Sequence, residues 1–199
     1  MRKLYVAPIV HPSDPEDETS YFLPRTSQVS YQAFSETVDE ISEKLKNEKI
    51  DRIFIESSLR KRPVGRIKNE PVRRLCKNLG VHEIEKTESM SSFLAQLASS
   101  QLFETPLKKM FSLFVKRRDY EMARYVSKEL KDGETGLILF GAVHRPECYV
   151  NMVSDDIRMR YVTSREEMFK KALEIMKLSS KGFADLTEDY SKKMFEQSA

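Results

Sequence analysis

Leu137, Ile138, Leu139 and Phe140 form an unbroken apolar run framed by Gly136 and Gly141, and it limits what this chain can fold into. A strand with one wet face alternates apolar and polar side chains. A run without alternation suits a strand covered on both faces, as in parallel sheets between helical layers. The run therefore predicts an α/β architecture. It ends on Gly141-Ala142-Val143-His144, so His144 follows the carboxyl end of the predicted strand, the edge of an open α/β sheet where ligands bind.

Around this strand the chain alternates in character. Leu4–Val10 reads as a first strand ending at His11-Pro12, followed by an acidic, proline-containing loop over Ser13–Pro24. Phe34, Val38, Ile41 and Leu45 recur at helical spacing within a helix over Ser30–Asn47. Arg52–Glu56 is a second strand that ends on a carboxylate. Ser57–Asn69 reads as a basic loop, Pro71–Asn78 as a short helix with proline in its first turn, and Val81–Ile84 as a third strand. Two helices are expected between Met90 and Val115, the second started by Thr105 and Pro106. A further helix is expected over Asp119–Leu130, with Arg118-Asp119 at its head. Ile157–Val162 has the pattern of a half-exposed edge strand, Ser164 and Glu167 match a capping box opening another helix, and a last helix is expected over Leu186–Phe195. Together these predict one domain over residues 1–199: three layers, with a mostly parallel central sheet between helices and a site at the carboxyl ends of the strands.

The bulk properties narrow the function classes. With 34 basic and 31 acidic residues the net charge is only +3, which gives no pointer to nucleic acid or an anionic membrane surface. The basic group Arg60, Lys61, Arg62, Arg66, Lys68, Arg73 and Arg74 lacks interleaved aromatics and reads as a solvated surface, so no nucleic-acid partner is expected. Cys76 and Cys148 match no metal or redox spacing. No stretch has the length of a membrane span, and the apolar run at the N-terminus is too short for a signal sequence, so a cytoplasmic protein is expected. The motifs GxxxxGK(S/T), GxGxxG and GxSxG are absent, so no nucleotide cofactor is expected. The apolar 90–115 region is expected to pack on the sheet, with a lid, a peptide groove or a homodimer surface as the alternatives.

Three side chains should meet at one rim if their strands are parallel: His11, Glu56 and His144. Two imidazoles and a carboxylate are a common ligand set for a divalent ion, and equally a general base with orienting partners. His82 precedes its strand and reads as structural. Asp119 at a helix start has a plain role in the helix dipole, and Arg118 counts simply as one of the basic run Lys116-Arg117-Arg118.

At these residues the chain resembles the TraB/PrgY family, within the superfamily of TIKI, erythromycin-esterase-like and ChaN-like proteins. The pattern there is a GxxH after the first strand, a strand ending in Glu with a nearby Arg, an Arg-Asp in an RDxxMA context, and a second GxxH. Here the second motif is intact at Gly141–His144. The middle one reads Arg118-Asp119-Tyr120-Glu121-Met122-Ala123, and the strand motif is Ile53–Glu56 with Arg60 four residues on. The first reads Pro8-Ile9-Val10-His11, with proline in place of glycine. The motifs span residues 8–144 and leave the tail after about Asp155 uncovered.

The resemblance implies a hydrolase acting on a peptide, amide or ester bond, of metallopeptidase-like or esterase-like chemistry, with a peptide or small molecule as substrate. It implies catalytic roles for His11, Glu56, Arg60, Arg118, Asp119 and His144. His11, Glu56 and His144 would be the ligands of a divalent ion (Mn, Co or Zn), or would activate water directly. Arg118 would stabilise oxyanion charge or orient Glu56, and Asp119 would fix a histidine tautomer or complete the ligand set. The alternative is an inactive binding or sequestering protein that keeps the same fold, which the proline at position 8 favours.

Overall fold

The computed structural model describes residues 1–10, 24–56, 62–87, 108–179 and 188. Six strands, β1 (Arg2–Ile9), β2 (Arg52–Ile55), β3 (Arg62–Pro63), β4 (Glu83–Lys86), β5 (Thr135–Gly141) and β6 (Ile157–Tyr161), form one sheet in the order β3-β4-β2-β5-β1-β6. Five of them run parallel, and β3 alone pairs antiparallel, with β4. The helices are α1 (Pro24–Leu45), α2 (Glu70–Asn78), α3 (Lys108–Glu129), α4 (Glu147–Val153) and α5 (Arg165–Ser179).

The strand order dictates which helix covers which face. The chain leaves β1 towards β2 and then β4 in one direction. It returns from β4 to β5, and from β5 to β6, in the other. Right-handed crossovers therefore put α1 and α2 on one face and α3 and α4 on the opposite face. The apolar side chains obey this. Tyr5, Ala7, Ile9, Ile53, Leu137 and Leu139 pack with Phe34, Val38 and Ile41 of α1 and Val72 and Leu75 of α2. Their strand neighbours Leu4, Val6, Phe54, Ile138 and Phe140 pack with Met122, Ala123 and Val126 of α3 and Val150 of α4. Leu137–Phe140 thus alternates between two cores, which is why the run has no polar member. A third cluster, with Val10, Val115, Ala142 and Val143 against Met168, Ala172 and Met176 of α5, closes the molecule past the carboxyl end of β5.

The three-layer, mostly parallel architecture read from the sequence is the one found, and β6 is the edge strand it predicted. Residues 57–69 are not a plain loop: Arg62 and Pro63 pair with Ile84 and Glu83, and a 3-10 turn follows over Val64–Arg66. Proline is tolerated there because the strand is at the sheet's edge, where its missing N–H costs no ladder bond. The third long strand lies at Glu83–Lys86, two residues later than expected.

The larger correction concerns α3. Arg118 and Asp119 do not head a helix; they lie in the middle of one that runs from Lys108 to Glu129. The charged run Lys116–Asp119 looked like a boundary, but nothing in it breaks a helix. Arg118 and Asp119 fall three and four residues after buried Val115 and before buried Met122 and Ala123, on the same inward stripe. The dipole role for Asp119 is thereby removed. The first helix expected after Met90, the Thr105 cap with Pro106, most of the apolar 90–115 region and nearly all of the helix over Leu186–Phe195 lie outside the described residues. None of the described helices is long and apolar enough to cross a membrane.

Candidate active site

β5 lies between β2 and β1, and the connections leaving β2 and β1 go to one face while that leaving β5 goes to the other. A crevice opens at the carboxyl ends of strands whose connections diverge in this way. Glu56 follows β2 there, and His144 follows β5.

Each side chain is aimed by an identifiable backbone device. β2 stops pairing with β5 at Ile55, opposite Leu139, while β5 runs on to Gly141. Glu56 still donates its N–H to the Leu139 carbonyl (3.0 Å). Its carboxylate then substitutes for the missing strand: Oε2 accepts the Gly141 N–H at 2.6 Å. Past Gly141 the chain turns back. The His144 N–H donates to the Gly141 carbonyl (2.8 Å), closing a four-residue turn, and the Ala142 N–H donates to the Ile9 carbonyl of β1 (2.8 Å). The GxxH spacing is thus the length of one turn, which folds the imidazole over the end of the sheet.

The side chains converge tightly. Arg118 Nη2 donates to Glu56 Oε1 at 2.6 Å, and His144 Nε2 lies 3.0 Å from the same oxygen. On the other side of the ring, Nδ1 lies 2.7 Å from Asp119 Oδ1, and Asp119 Oδ2 accepts the Arg145 N–H at 3.0 Å. The result is a relay, Arg118–Glu56–His144–Asp119, built from the end of β2, the middle of α3 and the turn after β5.

Its electrostatics follow from burial. His144 is 1% exposed and Asp119 fully buried. Two carboxylates, one guanidinium and one imidazolium are neutral as a group, whereas a neutral imidazole would leave a net negative charge in the interior. Burial alone would push the imidazole down. The Glu56 and Asp119 carboxylates outweigh it, against opposition from Arg118, and hold His144 up at about 9. With a carboxylate facing each ring nitrogen, both act as N–H donors.

Four of the six residues expected at the site, Glu56, Arg118, Asp119 and His144, are therefore in one cluster. His11 and Arg60 lie outside the described residues. Among the described residues no three His, Cys, Asp or Glu side chains are arranged to hold a metal ion. As placed, His144 has no ring nitrogen free: Nε2 faces Glu56 and Nδ1 faces Asp119. The described donors, Glu56, Asp119 and His144, are arranged to pass a proton, and His11, the other ligand expected for a metal ion, lies outside the described residues.

Three contributors were not legible in the sequence. Arg145 enters through its main chain. Glu147, the first residue of α4, and Arg165, the first of α5, pair at 2.8 Å beside the turn. Arg165 Nη2 also donates to the His144 carbonyl at 2.8 Å and, more weakly, to that of Ala142 at 3.4 Å. Burial, with Asp119 adding to it, pushes the Glu147 carboxyl up against the opposing pull of Arg165. No periodicity or motif marks these residues.

Comparison of the chain with protein-family models, with curated proteins and with solved structures finds no match. Its function is therefore read from the fold and the relay.

Proposed function

We propose that the protein is a hydrolase of the TraB/TIKI-like type, acting on a peptide, amide or ester bond, with the chemistry carried by Glu56 and His144. The observation that supports this most is the placement of a carboxylate and a doubly held imidazole, 3.0 Å apart, at the divergence point of a parallel sheet. In this reading the protonated His144 is the general acid that delivers its Nε2 proton to the leaving group, and Glu56 is the base that takes a proton from the attacking water. Arg118 holds Glu56 in place and offers positive charge to a developing oxyanion. Asp119 holds the ring by its Nδ1–H, as the buried acid of a hydrolytic triad does. His11 would complete the set in the resemblance.

The test is hydrolysis of peptide and ester libraries by wild type, Glu56→Gln and His144→Ala, each with and without added Mn²⁺, Co²⁺ or Zn²⁺. Loss of turnover by a factor of about 10² or more in both variants is the expected result. Turnover that is equal in all three proteins rules the reading out.

One observation favours a second reading, in which the fold is kept for binding and the cluster serves as a structural centre. Glu56 is 8% exposed and His144 1%, so a reactant reaches Nε2 only if the crevice opens. Exchange of the His144 ring N–H protons with solvent, read by NMR, separates the two readings. Fast exchange in the folded protein supports a site that opens, and slow exchange together with no turnover supports the binding protein.

A further inference from the structure

We propose that Arg165, anchored by Glu147, is a positioning residue for His144: it fixes the turn that presents the imidazole to Glu56 and Asp119. The assignment uses a part of the chain that none of the four motifs reaches. Arg165 lies 21 residues beyond His144, yet its guanidinium spans three acceptors, Glu147 Oε1 and the carbonyls of His144 and Ala142. Both carbonyls belong to the turn whose shape sets the histidine.

The cost of this arrangement argues for a geometric role. Both partners are nearly buried, with side chains 12% and 6% exposed. A buried ion pair gives little net stability compared with apolar groups of similar size. What it provides here is a fork. One nitrogen, Nη1, is committed to Glu147, so the other, Nη2, is held at a fixed distance from the turn. A four-residue turn with its carbonyls free has several backbone states close in energy, and a change in the turn moves the ring relative to both carboxylates. The Ser164 cap in turn fixes Arg165: its Oγ accepts the Glu167 N–H at 3.4 Å, starting α5 directly beside the turn.

Among the described residues, the charged groups around His144 come from several elements: Glu56 after β2, Arg118 and Asp119 on α3, Arg145 just before α4 and Glu147 at its start, and Arg165 on α5. This allows positioning to be told from charge. Removing a nearby cation by itself favours the imidazolium and raises its pKa. Loosening the ring from its two carboxylates lowers it. The two effects of losing Arg165 are opposite in sign.

The experiment is titration of ¹⁵N-histidine-labelled protein by NMR, in wild type, Arg165→Gln and Arg165→Lys; the chain has only three histidines. The expected result is a His144 pKa lowered by about one pH unit or more in Arg165→Gln. Arg165→Lys, which keeps the charge but lacks the fork, is expected to show a fall as well. A His144 titration unchanged or raised in the folded variants overturns the proposal, because a merely structural arginine would lower the melting temperature and leave the titration in place. Should Arg165→Gln not fold, the lysine variant decides by itself, since its charge is conserved. The proposal rests on His144 as the working imidazole of the hydrolase reading, but no substrate enters the measurement. Absence of turnover in wild type would therefore end the hydrolase reading and leave the positioning role standing.

Discussion

Glu56 and Asp119 use their oxygens differently, and the difference shows what each does. Glu56 faces donors of unlike kind: Arg118 and His144 at Oε1, and the Gly141 main chain at Oε2. It links the sheet, α3 and the turn. Asp119 faces one ring N–H and one main-chain N–H and so determines where the protons of His144 sit. Asp119→Asn tests this at the level of one atom. An amide has a single acceptor oxygen, and opposite the Arg145 N–H that oxygen must stay. The amide nitrogen then faces Nδ1, and two donors cannot share a bond. The imidazole is expected to lose its Nδ1 proton, keep Nε2–H towards Glu56, and be neutral at pH 7. Nitrogen shifts of the labelled ring report this tautomer directly, and a ring still doubly protonated at pH 7 would contradict it. The same substitution should cost about 2–3 kcal/mol in urea unfolding at neutral pH, the usual range for weakening a buried charge-assisted bond.

At the scale of elements, β5 is closely packed where Gly136 enters the sheet. A Cβ added at Gly136 would lie 3.1 Å from Leu130 Cδ1, 3.1 Å from Phe54 Cε2 and 3.2 Å from Leu4 Cδ1. Each of these atoms belongs to the core between the sheet and α3. Gly136→Ala is therefore expected to destabilise by about 1–3 kcal/mol, the range for overpacking. Unchanged thermal stability would show that α3 can retreat from the sheet. The same glycine explains why β5 was so legible. It and Gly141 mark the ends of a run that both helical layers cover, so the run's composition and its burial are one fact. β1 was legible for the same reason, as a short continuous apolar run buried on both faces, and β6 because Ile157 and Met159 alternate with exposed Arg158 and Arg160. The middle of α3 was not. Its inward stripe carries Arg118 and Asp119 where a core helix carries apolar residues, and a reading by hydropathy breaks the helix at that point. The charges are inside because Glu56 and His144 neutralise them, and those partners come from elements 62 and 25 residues away in the chain. No local pattern contains that information. Arg165 was hidden for the same reason: two of its three partners are main-chain carbonyls, which leave no trace in residue identity, and the third, Glu147, lies 18 residues away.

Across the whole molecule, the relay ties stability to pH in a direction opposite to the carboxylates at the surface. Asp51, bonded to Lys49 and the Thr135 N–H, and Glu134, bonded to Arg52, are both held below their ordinary values. Their contribution is present above the unfolded values of 3.8 and 4.5 and is lost as pH falls. His144 works the other way. Its folded value of about 9 lies above the unfolded 6.5, so between these the folded chain binds the extra proton. That contribution is fully present below 6.5 and lost as pH climbs towards 9. Glu147, whose carboxyl burial pushes up, acts in the same sense. Stability should therefore be greatest in mildly acidic solution and decline from neutral to mildly alkaline pH by about 3 kcal/mol, the value of a proton held over that interval. Urea midpoints measured from about pH 4 to about pH 10 check the curve. A flat profile between 6.5 and about 9 would mean that His144 is neutral in the fold, and with it would go the balance of two carboxylates against two cations on which the buried relay depends.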